Sequence, residues 1–246
     1  MRSLWGLGYG RGFRLLLAVI IFVMADGVSA SSNREEGRIY KDHNKPETLQ
    51  FHFVREITQA VDGNTQRLVT YSYPDGVVAV IEKLTFDRRG ELLSLEVEQK
   101  QLGEKGRITL AADRIDFSYV KAGRERTAKE KRVGNFVVGG TVATFLERRW
   151  DNLLAGEILQ TRYGVVDRLE TVGFEFEKVR EEKFEGQDVI VVRMKPTNFI
   201  IAALVDPVYF SFAKNTKSLR RIQGRVVPKL KKGNQLVDFD GDFVFM

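Results

Sequence analysis

The 246-residue chain contains no cysteine and only two histidines, His43 and His52, which excludes several kinds of site. Without cysteine the protein has no disulfide, thiolate metal site, iron–sulfur cluster or thiol nucleophile. Two histidines leave little material for general-base catalysis or for metal binding. No nucleophile, acid or base stands in a recognisable catalytic motif. We therefore predict a protein that is not an enzyme and that uses no metal or cofactor.

The overall composition is that of a folded protein, with 43% hydrophobic and 29% charged residues. Of the 39 Lys+Arg and 33 Asp+Glu, three basic residues and one acidic residue lie in residues 1–30. The net charge of +6 therefore falls to +4 for residues 31–246. Basic residues are concentrated in segments 121–134 and 227–234, which we predict to be long hairpin loops.

The two basic segments allow two interpretations. They either keep the protein in solution or attract anionic lipid head groups or an acidic partner at an envelope surface. They lack the interleaved aromatic residues of proteins that bind single-stranded nucleic acid. We therefore predict no nucleic acid partner and at most a peripheral contact with a membrane.

The first thirty residues have the features of a secretory signal peptide. Arg2, Arg11 and Arg14 form a positive region, and an uninterrupted apolar run follows over 15–25. This run is about half of the roughly 20 residues that span a bilayer. Small residues at 28–30 suit signal peptidase, so we predict cleavage after Ala30 and a periplasmic location. An uncleaved N-terminal anchor is the alternative.

Residues 48–246 alternate between apolar and polar side chains with the period of a β-strand. In the last such segment Val237, Phe239, Phe243 and Phe245 share one face, and acidic residues occupy the other. About ten segments of this kind, separated by turns, predict a single mostly β domain. Its expected form is a curved antiparallel meander, or half-open barrel. Residues 31–47 are polar and show no period, so we predict a flexible leader there.

Two segments depart from the strand period. Over 141–155 the apolar residues recur at helical spacing, which predicts one amphipathic helix lying on the sheet. Residues 199–205 (FIIAALV), after Asn198 and before Asp206-Pro207, predict a short helix that is apolar on all sides. Such a helix needs to be covered.

The C-terminal sequence Asp238-Phe-Asp240-Gly241-Asp242 is the nearest approach to a metal motif. Calcium loops also place acidic ligands on alternate residues, but their glycine follows the third ligand and a glutamate closes the loop. Here the glycine comes before the third aspartate. We therefore interpret these residues as the outer face of a strand.

Hairpins of the form strand–Asp/Asn-x-x-Gly/Lys–strand occur at 84–99 (LTFDRRGELLSLEVEQ) and 210–225 (FSFAKNTKSLRRIQGR). In this pattern the chain resembles periplasmic half-barrel proteins of the outer-membrane lipoprotein carrier type and related uncharacterised periplasmic β-proteins. The resemblance implies a strongly curved antiparallel sheet that wraps around helices and holds acyl chains on its concave face. The predicted helices at 141–155 and 199–205 would then be the covering helices.

Four functions are compatible with these features. The first is a binder of a lipid-like or hydrophobic ligand in the concavity of the sheet, and it rests on the aromatic content. The second is an envelope scaffold or accessory protein that acts through protein–protein contacts. A small outer-membrane barrel and an enzyme are less well supported by the pattern. The residues expected to line the apolar site are Phe145, Trp150, Phe174, Phe176, Phe199, Phe210 and Phe212.

Overall fold

The computed structural model describes residues 33–246, so the predicted signal peptide and its cleavage site lie outside the described residues. These residues form more strands than the ten expected. The strands of the first half are β1 (Asn33–Tyr40), β2 (Leu49–Gln59), β3 (Thr65–Ser72), β4 (Val78–Phe86), β5 (Leu92–Gln99), β6 (Glu104–Leu110), β7 (Arg114–Lys121) and β8 (Arg124–Lys131). Those of the second half are β9 (Phe136–Val137), β10 (Leu159–Val165), β11 (Glu170–Phe184), β12 (Gln187–Pro196), β13 (Val208–Ala213), β14 (Leu219–Arg225), β15 (Leu230–Lys232), β16 (Gln235–Val237) and β17 (Asp240–Phe245).

Fifteen of these strands form one open, curved sheet, which confirms the predicted mostly β, half-barrel fold. Their order is β8-β7-β6-β5-β4-β3-β2-β1-β17-β14-β13-β12-β11-β10-β9, and β15 pairs with β16 as a separate hairpin. Neighbouring strands are antiparallel except β9, which pairs parallel with β10. Register shifts interrupt the pairs β1–β2, β3–β4, β4–β5, β11–β12 and β13–β14. Because such irregularities bend a strand and increase its twist, they favour the curvature of the sheet.

Side chains connect the two ends of the sheet. Glu130 on β8 accepts hydrogen bonds from the backbone N–H of Thr171 at 2.9 Å and from its hydroxyl at 2.6 Å. Arg126, also on β8, donates to the backbone carbonyl of Asp167 at 3.1 Å. The edge strand β8 thus lies beside the start of β11. The curved sheet therefore surrounds an interior, although its two edge strands, β8 and β9, are not paired with each other.

The prediction of a flexible leader over residues 31–47 is wrong for residues 33–40, because β1 is a central strand between β2 and β17. Only Gly37 and Ile39 of β1 are buried, so no apolar alternation marks this strand in the sequence. A Cβ at Gly37 would lie 2.9 Å from the carbonyl oxygen of Val244, and Phe243 covers the same position. Neighbouring strands therefore supply the apolar cover that β1 itself lacks, and residues 33–40 belong to the domain that was predicted to begin at residue 48.

The basic segment 121–134, expected to be a loop, contains the edge strand β8. Ala122 and Gly123, with φ values of 49° and 72°, form the tight turn between β7 and β8. Most side chains of β8 are exposed and charged, as is common in strands whose outer edge must not pair with another chain. Such a strand carries no period-2 signal because neither of its faces is buried.

The predicted amphipathic helix over 141–155 forms as two short helices, α1 (Val142–Arg148) and α2 (Trp150–Leu154), which are separated at Arg149. Val142, Leu146, Trp150 and Leu153 are buried, as the apolar stripe predicted. The second predicted helix is shorter than expected, because α3 covers only Phe199–Ala202. None of the helices in residues 33–246 is both long and apolar enough to cross a membrane.

Two main clusters of buried side chains fill the interior. The first lies under β1–β7 and β17, and includes Phe51, Phe53 and Leu84. The second lies between α1, α2 and strands β11–β13, and includes Leu146, Phe176 and Phe212. An apolar cavity lies between these clusters, and a polar cavity adjoins it.

Candidate functional site

An apolar cavity of about 240 Å³ lies where the two core clusters meet. Tyr71 and Phe243 of its wall belong to the first cluster, and Val142, Met194 and Phe210 belong to the second. Further apolar walls come from Phe174, Val208 and Ile222. The charged residues at this cavity are Asp206 and Arg225, and both are exposed. The arrangement is a mostly apolar chamber with its charges at the mouth, as in sites for hydrophobic molecules.

The residues expected from the sequence to line an apolar site fall into three groups. Phe174 and Phe210 line the apolar cavity. Trp150, Phe176 and Phe212 are buried in the second core cluster, and half-buried Phe145 packs against that cluster. Phe199 lies in α3 and is 81% exposed. The sequence places most of these side chains on an inward face but does not distinguish a cavity wall from filled core.

A second, polar cavity of about 340 Å³ adjoins the first, and the two share Gly139, Tyr163 and Val227 in their walls. The polar cavity is lined by two buried carboxyl groups, Glu82 and Glu104, together with Tyr119. Lys121, Arg126 and Asp167 also line it and are exposed, so they lie at its rim. The interior therefore has an apolar compartment and an acidic compartment side by side.

Glu82 is the most unusual residue of this interior, because it lies on the inward face of β4 and is only 8% exposed. The hydroxyl of Tyr71 donates to Oε2 of Glu82 at 3.4 Å. Within residues 33–246 this is the only hydrogen bond to the carboxyl. Burial raises the pKa of Glu82 to about 7, and the bond from Tyr71 offsets only part of that effect. The carboxyl is therefore poised to change its charge near neutral pH.

Glu104, on β6, has stronger partners than Glu82. Tyr119 donates to its Oε2 at 2.5 Å, and Nζ of Lys121 lies 3.0 Å from its Oε1. Burial would raise the pKa of Glu104, but the bonds from Tyr119 and Lys121 outweigh it and lower the pKa. Gly106 makes this arrangement possible, because a Cβ there would lie 2.8 Å from the Tyr119 ring and 2.6 Å from Val166.

Sequence reasoning missed both buried carboxyl groups, although a signal was present. Val80, Glu82, Leu84 and Phe86 alternate on one face of β4, so the strand period already places Glu82 among inward residues. Glu104 stands in the same way on the face of Ile108 and Leu110. An acidic residue at an otherwise apolar, inward-facing strand position was the sequence signal for each buried carboxyl group.

The acidic residues of 238–242 are engaged with basic side chains. Arg225 lies 2.7 Å from Asp238 and 2.8 Å from Asp240. Asp242, expected on an outer solvated face, is buried instead and receives two hydrogen bonds of 2.6 Å from Arg221. His43 also contacts Asp242, so the segment after β1 is tied to β14 and β17.

Comparisons with known proteins place the chain by its fold alone. No family model matches the sequence, and no curated protein matches it. A solved structure similar to it is a beta-barrel-like protein of a domain of unknown function, DUF1849, from Brucella abortus. The match has a TM-score of 0.50 at 11% identity and covers 87% of this chain and 94% of the other.

A second match is a domain described as an outer membrane lipoprotein-sorting protein, from Vibrio parahaemolyticus. It has a TM-score of 0.28 at 11% identity over 87% of this chain and 82% of that one, and a score so low supports no conclusion. The Brucella abortus match confirms, at the level of the fold alone, the predicted resemblance to uncharacterised β-proteins.

Proposed function

We propose that the protein is exported to the periplasm and there binds a lipid-like or other hydrophobic ligand, without catalysing a reaction. The observation that carries this proposal is the apolar cavity between the two core clusters, with Phe174, Met194 and Phe210 in its wall. Protein interiors are close-packed, so an apolar chamber of this size leaves contacts unmade that a hydrocarbon chain would make. The signal-peptide pattern of residues 1–30 supports the location.

Isothermal titration with 1-octanol tests this proposal, because the probe has an apolar chain and an uncharged head. We expect saturable binding to one site per chain. Phe174→Glu places a carboxylate in the wall of the apolar cavity and is expected to weaken octanol binding by about tenfold or more. Phe174 is only half-buried, so the variant is expected to fold.

Phe136→Glu is the matched control, since Phe136 is also half-buried but does not line the apolar cavity. We expect it to bind octanol as the wild type does. Absence of saturable octanol binding, or equal weakening by both substitutions, would contradict the proposal.

A scaffold function through protein–protein contacts is the second candidate, and one observation favours it. Phe199 and Leu204 are each 81% exposed, and Ile200 is 56% exposed. Asn198 caps the segment by accepting a hydrogen bond from the N–H of Ile200 at 2.9 Å. The backbone is therefore held in a form that presents large apolar side chains to solvent, which is typical of a surface that binds a partner.

Replacing Phe199 and Leu204 together by Ser tests the scaffold function. We expect the variant to lose a partner that co-purifies with the wild-type protein from an envelope extract, while its octanol affinity stays unchanged. Native mass spectrometry of the purified complex would identify a protein partner by its mass. If the same partner remains bound to the variant, this segment is not the contact surface.

A further inference from the structure

We infer that the polar cavity receives the head group of an amphiphilic ligand, and that this head group is an ammonium held by the carboxylate of Glu82. The inference rests on the proposed function, because it requires that the apolar cavity hold the ligand's chain. To the proposed function it adds the polar cavity as a second binding compartment, and it specifies the chemical class of the ligand.

The position of the two cavities is the first support. Tyr163, Gly139 and Val227 form walls of both, so a chain that fills the apolar cavity ends next to the polar one. Tyr71 lines the apolar cavity and donates its hydroxyl hydrogen to Glu82, which lines the polar cavity. Glu82 therefore stands where the polar end of such a chain would lie.

The hydrogen bonding of Glu82 is the second support. An ionised carboxylate accepts several hydrogen bonds, whereas Glu82 receives a single one, at 3.4 Å, from the described residues. That distance is well beyond the usual O–H···O length of about 2.7–2.8 Å. A buried carboxylate with so little compensation is costly, and an ammonium beside it would supply both charge and donors. The group is thus complementary to a cation with N–H bonds.

The other charged groups around the polar cavity favour a cationic head group over an anionic one. Glu104 is satisfied by Tyr119 and Lys121, so it adds negative charge without needing a ligand. At the rim, Arg126 donates to the Asp167 carbonyl, and Lys229 pairs with Asp238. The cations are therefore already engaged, and Lys121 and Arg126 are exposed, whereas the buried carboxyl of Glu82 has no charged partner. A carboxylate or phosphate head would meet Glu82 and Glu104 as like charges.

The titration of Glu82 adds a property that distinguishes this site from a surface contact. Burial raises the pKa of Glu82 to about 7. The other titratable or charged groups that line the polar cavity are Glu104, Tyr119, Lys121, Arg126, Tyr163, Asp167 and Lys229, and those of the apolar cavity are Tyr71, Tyr163, Asp206 and Arg225. An ammonium favours the ionised form of the carboxyl. Binding of an amine at slightly acidic pH is therefore expected to release a proton from Glu82.

Calorimetric titration with three octyl probes tests the inference: octylamine, 1-octanol and octanoate. At about pH 8 we expect octylamine to bind the wild type about tenfold or more tightly than octanoate, because a charge-assisted hydrogen bond replaces a repulsion. Glu82→Gln is expected to abolish this preference while 1-octanol affinity stays within about twofold. The matched control Glu96→Gln removes an exposed carboxylate on the adjacent strand and is expected to keep the preference.

Titrations near pH 6, repeated in buffers of different ionisation enthalpy, measure the proton release. We expect release with octylamine in the wild type and in Glu96→Gln, and none in Glu82→Gln. Equal affinities for the three probes, or a preference that survives Glu82→Gln, would overturn the ammonium site and leave the apolar site intact. If 1-octanol itself does not bind, both the proposed function and this inference are overturned.

Discussion

Glu82→Gln is expected to make the protein more stable at pH 8 by on the order of 3 kcal/mol and to change its stability little at pH 4.5. The reason is the burial of the Glu82 carboxyl, which raises its pKa from 4.5 to about 7 in the folded protein. Between these two values the folded state holds a proton that the unfolded state has lost. The free energy of unfolding of the wild type therefore falls as the pH rises from about 4.5 to about 7, and Glu82 contributes no further change above that range.

Urea unfolding followed by circular dichroism at several pH values between 4.5 and 8 measures this effect. Comparing the two proteins at each pH cancels the titration of all other groups. Glutamine keeps the shape of the side chain and an oxygen that can accept the bond from Tyr71. Glu96→Gln, at an exposed site, is expected to change stability by less than about 1 kcal/mol at every pH. A Glu82→Gln effect that does not vary with pH would show that the carboxyl is solvated.

Arg221→Met is expected to lower the free energy of unfolding by about 3–5 kcal/mol, because it leaves Asp242 buried without its main partner. The two side chains are only 13% and 10% exposed, and the guanidinium of Arg221 forms two parallel hydrogen bonds of 2.6 Å to the carboxylate. Removing one member of a buried ion pair lowers the free energy of unfolding by more than the intact pair contributes to it. Adding Asp242→Asn to Arg221→Met is therefore expected to recover part of the loss.

Arg225→Met is the matched control, since Arg225 lies on the same strand but its ion pairs with Asp238 and Asp240 are exposed. We expect it to cost less than about 1 kcal/mol. Equal losses for both arginine variants would mean that the Arg221–Asp242 pair is no more buried than the other.

The pH dependence of the Arg221–Asp242 pair has the opposite sign to that of Glu82. Burial would raise the pKa of Asp242, but Arg221 and His43 outweigh burial and lower it. Its stabilising contribution is thus present above the unfolded pKa and is lost as the pH falls through the folded pKa. Arg221→Met is expected to remove this loss, so the stability of the variant should depend less on pH below about 4.

Strand periodicity predicted the fold class well because it depends only on neighbours along the chain. The alternation over β4 and β17 and the helical stripe of α1 and α2 were both visible in the sequence. Strand periodicity did not predict β1, where residues of a neighbouring strand cover Gly37. It also did not predict β8, which is charged on both faces. In both cases the burial of the segment depends on residues far away in the sequence.

The candidate site was predicted less completely than the fold. Phe174 and Phe176 occupy equivalent positions on β11, two residues apart, yet Phe174 lines the apolar cavity and Phe176 is completely buried in the core. No local pattern distinguishes them, because the difference lies in what stands opposite each side chain.

The sequence by itself determined the β character of the chain, the inward face of most strands and the placement of Glu82 on such a face. Only the tertiary structure decided that β1 joins β2 to β17, that the two core clusters leave an apolar cavity between them, and that Glu82 borders a polar cavity beside it. The physical reason is that side-chain alternation selects a face of the sheet, whereas the opposing wall is set by long-range strand pairing and by the curvature of the sheet.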